Sequence, residues 1–301
     1  MESYHSFILI NHIWSYSDFD AIINICAGAN NIDIFTLSYS KWPIYYINKW
    51  TLIRGRMYTI YFPSTLYEDF INVHPNLNVL DYLYSNDLDE NVINDNLSQL
   101  SPIEKECFYG CLSHDNYPLT FRSLAEELSN NTKKNISRYL TQSILLRLEE
   151  MNLLYFIDRF DVKTDSVIGG RLVYPIDNRF YLSKNPQDRD LRKFMTSAMI
   201  AKLFYDNWKV QKGIYVSQRN GRQFVRNTDA GFVVSREEQK FIVFIADYLN
   251  EDVLTTVKFV PSNIQKVVFT LDLIGEIQFE DGVIYYSYEK LLKEGLKIYG
   301  K

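Results

Sequence analysis

The chain is poor in the residues that build reactive or cross-linked sites. Its 301 residues include three cysteines, Cys26, Cys107 and Cys111, and four histidines, His5, His12, His74 and His114. An odd thiol remains after any pairing, so a disulfide framework is excluded and a reducing compartment is expected. No histidine stands in a Ser/Cys-His arrangement with a positioned acid, so hydrolytic triad chemistry finds no support. Cys107-x-x-x-Cys111 with His114 supplies three metal ligands and no fourth cysteine nearby. The two thiols are expected as buried small hydrophobes on a helix, and no metal site is expected. No apolar stretch nears the ~18 residues that a membrane span needs. The segment Met1–Ile10 lacks the basic region and small-residue cleavage site of a secretory signal. A cytoplasmic chain with no membrane partner is the expectation.

Positive charge is also in short supply. The 32 Lys+Arg stand against 37 Asp+Glu, a net charge of −5. A generally basic nucleic-acid coat is therefore excluded, and any DNA contact must come from a local patch. Hydrophobic residues at 47% and charged residues at 23% are ordinary for a folded globular protein. The length suggests two or three domains. The many Tyr and Phe, alongside abundant Asn and Ile, read as coding bias more than as a binding signature.

Apolar periodicity divides the chain into three parts. Phe7–Ile10 reads as a strand, Asp18–Ala29 as an amphipathic helix and Ile32–Leu37 as a second strand. This order implies parallel pairing in an α/β sheet. Met57–Phe62 adds a strand, and a short helix follows Pro63. After the polar stretch Asn72–Leu97 the pattern turns helical: Pro102 to about Leu112, then Phe121–Leu128 ending in Ser129-Asn130-Asn131, then a third helix from near Thr132 towards Met151. Two strand-like runs, Leu153–Phe160 and Leu172–Leu182, complete the winged-helix order. The remainder opens with a helix over Asp190–Trp208. Strands follow near Ile214–Gln218, Gln223–Arg226, Gly231–Val234, Phe241–Ala246 and Lys266–Thr270, and Tyr288–Ile298 closes the chain as a helix.

Several ordered fragments resemble archaeal-type AAA ATPases that carry a winged helix and a C-terminal nuclease-like domain. They are Gly55-Arg56-Met57-Tyr58, the run Pro63-Ser64-Thr65-Leu66-Tyr67-Glu68-Asp69-Phe70, Arg138-Tyr139-Leu140, Leu148 to Leu154, Arg159 to Lys163, and Phe269-Thr270-Leu271-Asp272. The resemblance implies a chain that starts partway through the ATPase core. It also implies three domains: a partial P-loop-type parallel α/β sheet over 1–97, a winged helix over 98–186 and a restriction-endonuclease-like α/β domain over 187–301.

The family's chemistry is missing from this chain. A P-loop needs G-x-x-x-x-G-K-[ST] to cradle phosphates, and the one Gly-Lys pair is Gly300-Lys301. Asn11 and His12 stand where the family has the Asp-Glu pair that holds Mg²⁺, and they do not replace two hard carboxylates. By the same alignment the nuclease metal-ligand positions fall on Gly231 and Phe244, and the helix position that often carries a Glu is Thr196. The string Asp229 with Glu238-Gln239-Lys240 imitates the nuclease motif, but Glu238 lies in a charged turn and is expected to face solvent. No catalytic residue and no cofactor are expected, ATP and Mg²⁺ included. Arg56 is left as a candidate phosphate contact.

Lys133, Lys134 and Arg138 form the leading candidate site, a basic cluster at the start of the third helix. Lys163 and Arg171 are candidate flanking contacts from the wing. Between Thr120 and Asn185 ten Lys/Arg face eight Asp/Glu, a local balance of +2. The expected function is a catalytically inactive scaffold that binds DNA or a protein partner. The alternative is a subunit that supplies Arg56 in trans to the nucleotide site of a full-length ATPase partner. A gene product in decay is a third reading.

Overall fold

The computed structural model describes residues 6–11, 32–38, 57–61, 66–84 and, with short breaks, 97–297. The fold is mixed α/β. Strands β1 (Ser6–Asn11), β2 (Ile32–Ser38) and β3 (Met57–Tyr61) pair in chain order and run parallel, as the β-α-β pattern implies. The helix expected at Asp18–Ala29 lies outside the described residues. Two short helices follow, α1 (Tyr67–Val73) and α2 (Val79–Tyr84).

Three helices come next. In α3 (Pro102–Leu112), Pro102 occupies the first turn, where its missing N–H costs nothing, and Ser101 and Glu104 form a reciprocal capping box. In α4 (Phe121–Thr132), the Thr120 side chain accepts from Ser123 N. In α5 (Arg138–Glu150), Ser137 accepts from Leu140 N. A hairpin of β4 (Leu154–Asp161) and β5 (Ser166–Pro175) completes this group, and α6 (Arg179–Lys184) leads away from it.

Helix α7 (Leu191–Tyr205) then introduces β6 (Lys209–Arg219), β7 (Arg222–Arg236) and β8 (Gln239–Ala246). After α8 (Glu251–Phe259) come β9 (Gln265–Thr270), β10 (Gln278–Glu280), β11 (Val283–Ser287) and α9 (Tyr288–Glu294). Residues 223–226 and 231–234, read from sequence as two strands, belong to the single strand β7. The strand survives its glycine because Gly231 sits at a bulge: Lys212 pairs with Phe232, yet Ile214 pairs with Asp229.

The eight strands β4 to β11 form one sheet in the order β10-β11-β9-β8-β7-β6-β4-β5. Parallel pairing of Arg159, Phe160 and Asp161 with Lys212, Gly213 and Ile214 joins the hairpin to the C-terminal strands. The sheet therefore draws strands from both sides of residue 186. Side chains alternate between its faces along β8. Phe241 and Val243 enter the larger core, which also holds residues of α7 and α9, while Ile242 and Phe244 enter a smaller one with Val253 and Val257 of α8.

The larger core also takes in Tyr67, Phe70 and Leu83, so α1 and α2 pack on α7 and α9. Lys202 of α7 is buried there and donates to Glu68 Oε1 at 2.6 Å. Tyr67 donates to Glu289 Oε1 at 2.9 Å. Among the described residues, no helix is long and apolar enough to cross a membrane.

Candidate functional site

The basic cluster differs from its sequence reading in one respect. The second helix does not stop at the Asn130-Asn131 pair; it runs to Thr132. Ser129 and Thr132 return their hydroxyls to the carbonyls of Ala125 and Leu128, both at 2.7 Å. Lys133 ends it in the left-handed conformation, with φ 54°. Lys133 and Lys134 thus lie in the connector between α4 and α5, and only Arg138 belongs to the third helix. The connector is fixed by burial of Ile136 and by the Ile136 N–H donating to Ser129 Oγ at 3.0 Å.

This correction changes the shape of the site more than its composition. Lys133, Lys134 and Arg138 are exposed, and none forms an ion pair among the described residues. Helix α5 buries Thr141, Ile144, Leu145 and Leu148 and exposes Arg138, Tyr139, Leu140, Ser143 and Leu146, with Tyr139 at 79%. At its far end Arg147 donates to Glu104 Oε1 at 2.7 Å, tying α5 to α3. Glu104 is buried and also accepts from the Ser101 N–H and hydroxyl. The helix is therefore held by one face and by a charge pair, and its opposite face is open.

The two flanking candidates lie on the β4–β5 hairpin. Arg171 Nε donates to Asp158 Oδ1 at 3.0 Å across the β4–β5 hairpin, so its charge is already paired. Lys163 is exposed in the turn at the hairpin's distal end. That end is bound to the C-terminal strands: Val162 N donates to Ile214 O at 3.0 Å, and Lys240 pairs with Asp165. The hairpin lies in the sheet, and this pairing between distant residues leaves no local trace in sequence. Asn11 ends β1 opposite Leu37, while His12, Arg56 and His114 lie outside the described residues.

A second place gathers other residues noted in the sequence. Thr196, Asp229, Gly231 and Phe244 line one cavity of about 510 Å³, between the N-terminal end of α7, the bulge in β7 and α8. Gly231 has φ +68°, and a Cβ there would run into the Val243 carbonyl oxygen. A Cβ on Gly213 would meet the Ala230 carbonyl oxygen at 2.7 Å, so both glycines are demanded by the close strand approach. Asp229 accepts from the Gly231 N–H and from Lys212 Nζ, each at 2.8 Å. Glu238 lies exposed in the β7–β8 turn, so the Asp229 and Glu238-Gln239-Lys240 string is not assembled.

Sequence reasoning missed the cations of this cavity. Arg192 and Lys193 come from α7 and Lys212 from β6, and only the fold brings them together. Cys107 and Cys111 are fully buried, and burial pushes the Cys111 thiol up, away from thiolate reactivity. Among the described residues no group of three or more His, Cys, Asp or Glu is placed to hold a metal ion. Compared with protein-family models, curated proteins and solved structures, the chain matches none of them.

Proposed function

We propose that this chain is a scaffold that binds duplex DNA through the α4–α5 corner and performs no catalysis of its own. The observation that carries the reading is the exposed, unpaired trio Lys133, Lys134 and Arg138 beside an open helix face. Cations that are neither buried nor compensated are available to phosphates, and binding then gains from counterion release. In helix-turn-helix readers the recognition helix lies in the major groove with its N-terminal residues at the base edges. Three helices followed by a hairpin over 102–175 support a winged-helix assignment. The meeting of Thr196, Gly231 and Phe244 in one cavity supports a nuclease-like origin for the C-terminal part. The absence of a P-loop sequence and of carboxylates at those nuclease positions supports a non-enzymatic role.

Fluorescence anisotropy on random duplex DNA, with and without Lys133→Ala, Lys134→Ala and Arg138→Ala combined, tests the proposal. Loss of about 100-fold in affinity in the variant at low salt is expected. Equal binding by both proteins would refute it. A second reading, docking of a protein partner, is favoured by the exposed Tyr139, Leu140 and Leu146. It predicts no DNA binding even at low salt.

A further inference from the structure

The outward face of α5 has a chemistry of its own beside the cationic trio. The helix turns Thr141, Ile144, Leu145 and Leu148 into the core. At about 100° per residue, the opposite side is then formed by Tyr139, Gln142, Ser143 and Leu146. This i, i+3, i+4, i+7 stripe is continuous, and at 1.5 Å per residue it is about 10 Å long, the span of about three base pairs. Tyr139 stands in the first turn and is the most exposed large apolar side chain among the described residues. Leu146 is exposed two turns further on. Gln142, half-buried between them, makes no hydrogen bond among the described residues. The Ser143 hydroxyl is already spent on the Tyr139 carbonyl, at 3.1 Å.

What the stripe leaves out is as informative as what it holds. From Arg138 to Arg147 the helix has no Asp, Glu, Asn, His or Lys. Its two arginines flank the stripe: Arg138 belongs to the exposed trio, and Arg147 is drawn aside to Glu104 at 2.7 Å. In the major groove, cytosine is read by a carboxylate that accepts from its amino group, and guanine by Arg or Lys at O6 and N7. The stripe offers neither. It offers a glutamine amide, which bonds adenine N6 and N7 together, and apolar surface, which suits the thymine methyl. Contact with those methyls also removes Tyr139 and Leu146 from water.

We propose that this stripe selects A·T base pairs in the major groove, Gln142 bonding an adenine and Tyr139 and Leu146 packing on thymine methyls, so that the chain prefers A·T-rich duplexes. The assignment rests on the duplex binding proposed above and adds the base composition of the partner. The trio supplies affinity that is indifferent to sequence, and the stripe supplies the preference.

The test is competitive fluorescence anisotropy of the whole chain at low salt on two mixed-sequence duplexes of equal length, one of A·T pairs and one of G·C pairs. The A·T duplex is expected to bind about tenfold more tightly. Replacing its thymines by uracil, which removes the methyl, is expected to cost about fourfold. Replacing its adenines by 7-deazaadenine, which removes the N7 acceptor, is expected to cost about fivefold. Tyr139→Ala with Leu146→Ala is expected to abolish the uracil effect, and Gln142→Ala the 7-deazaadenine effect. Both variants are expected to unfold at the wild-type temperature and to keep the salt dependence that belongs to the trio. Equal affinity for the two duplexes, or tighter binding of the G·C one, would overturn the assignment and leave the duplex reading in place. So would an A·T preference that survives both base analogues and both variants, since it would come from duplex shape. No binding to either duplex would overturn both readings.

Discussion

The two cationic clusters of this protein are built in opposite ways. At the α4–α5 corner, Lys133, Lys134 and Arg138 are exposed in a connector and a helix start, with no ion pair among the described residues. In the cavity, Lys193 and Lys212 each meet an aspartate, and the surface around them is concave and lined with rings. An open, uncompensated cluster attracts a polyanion at long range and is screened by salt. A compensated, enclosed cluster offers little at long range and selects a ligand by shape and by where its charge falls. The first arrangement is the one on which the proposed duplex binding rests.

The sharpest way to break the comparison is to damage the frame of one cluster alone. Gly231→Ala places a Cβ against the Val243 carbonyl at a positive φ. A stability loss of about 3 kcal/mol or more is expected by thermal or urea unfolding. Lys133 also has a positive φ, of 54°, but it caps a helix end. Lys133→Gly is therefore expected to raise stability by about 0.5–1 kcal/mol while weakening DNA binding a few-fold. Opposite signs at these two positions would show that the cavity depends on its bulge and that the corner tolerates change.

Smaller effects sharpen the picture. Arg147→Ala removes the partner that reaches buried Glu104 from α5. Because Arg147 is about half exposed, a loss of about 1–2 kcal/mol is expected by urea unfolding, with weaker DNA binding as α5 loosens. Lys163→Ala with Arg171→Ala is expected to change DNA affinity by no more than about twofold, since those side chains belong to the sheet-bound hairpin.

The smallest expected effect is on acid stability. The Lys293 hydrogen bond, outweighing the opposing effect of burial and aided by the Tyr67 hydroxyl, holds the Glu289 carboxyl below its ordinary 4.5. A group with a lowered folded-state value contributes stability above its unfolded-state value and loses it as pH falls through the lower one. Glu289→Gln is therefore expected to flatten the stability-pH curve only below about pH 4.5. Thermal unfolding across pH 3–7 checks this.

Legibility in the sequence followed the range of the interactions. Helix α3 could be read to both ends because Ser101, Pro102 and Glu104 make a local start signal. The end of α4 lies past Asn130 and Asn131, which suggest a turn in sequence, and falls where Lys133 turns left-handed. The β4–β6 pairing joins residues about fifty positions apart, so no periodicity announces the hairpin's place in the sheet. The same reason hid Arg192, Lys193 and Lys212, which are ordinary surface charges in sequence and neighbours only in the fold. By contrast Lys133, Lys134 and Arg138 are close in sequence, and their joint exposure could be anticipated.

The most direct measurement is the salt dependence of duplex DNA affinity for the wild type and for the Lys133→Ala, Lys134→Ala, Arg138→Ala variant. The account predicts that log affinity falls linearly with log salt. It also predicts that the variant's slope is shallower by about 2–3 units, one for each lost phosphate contact. Identical slopes in the two proteins would place the phosphate contacts elsewhere and contradict the account.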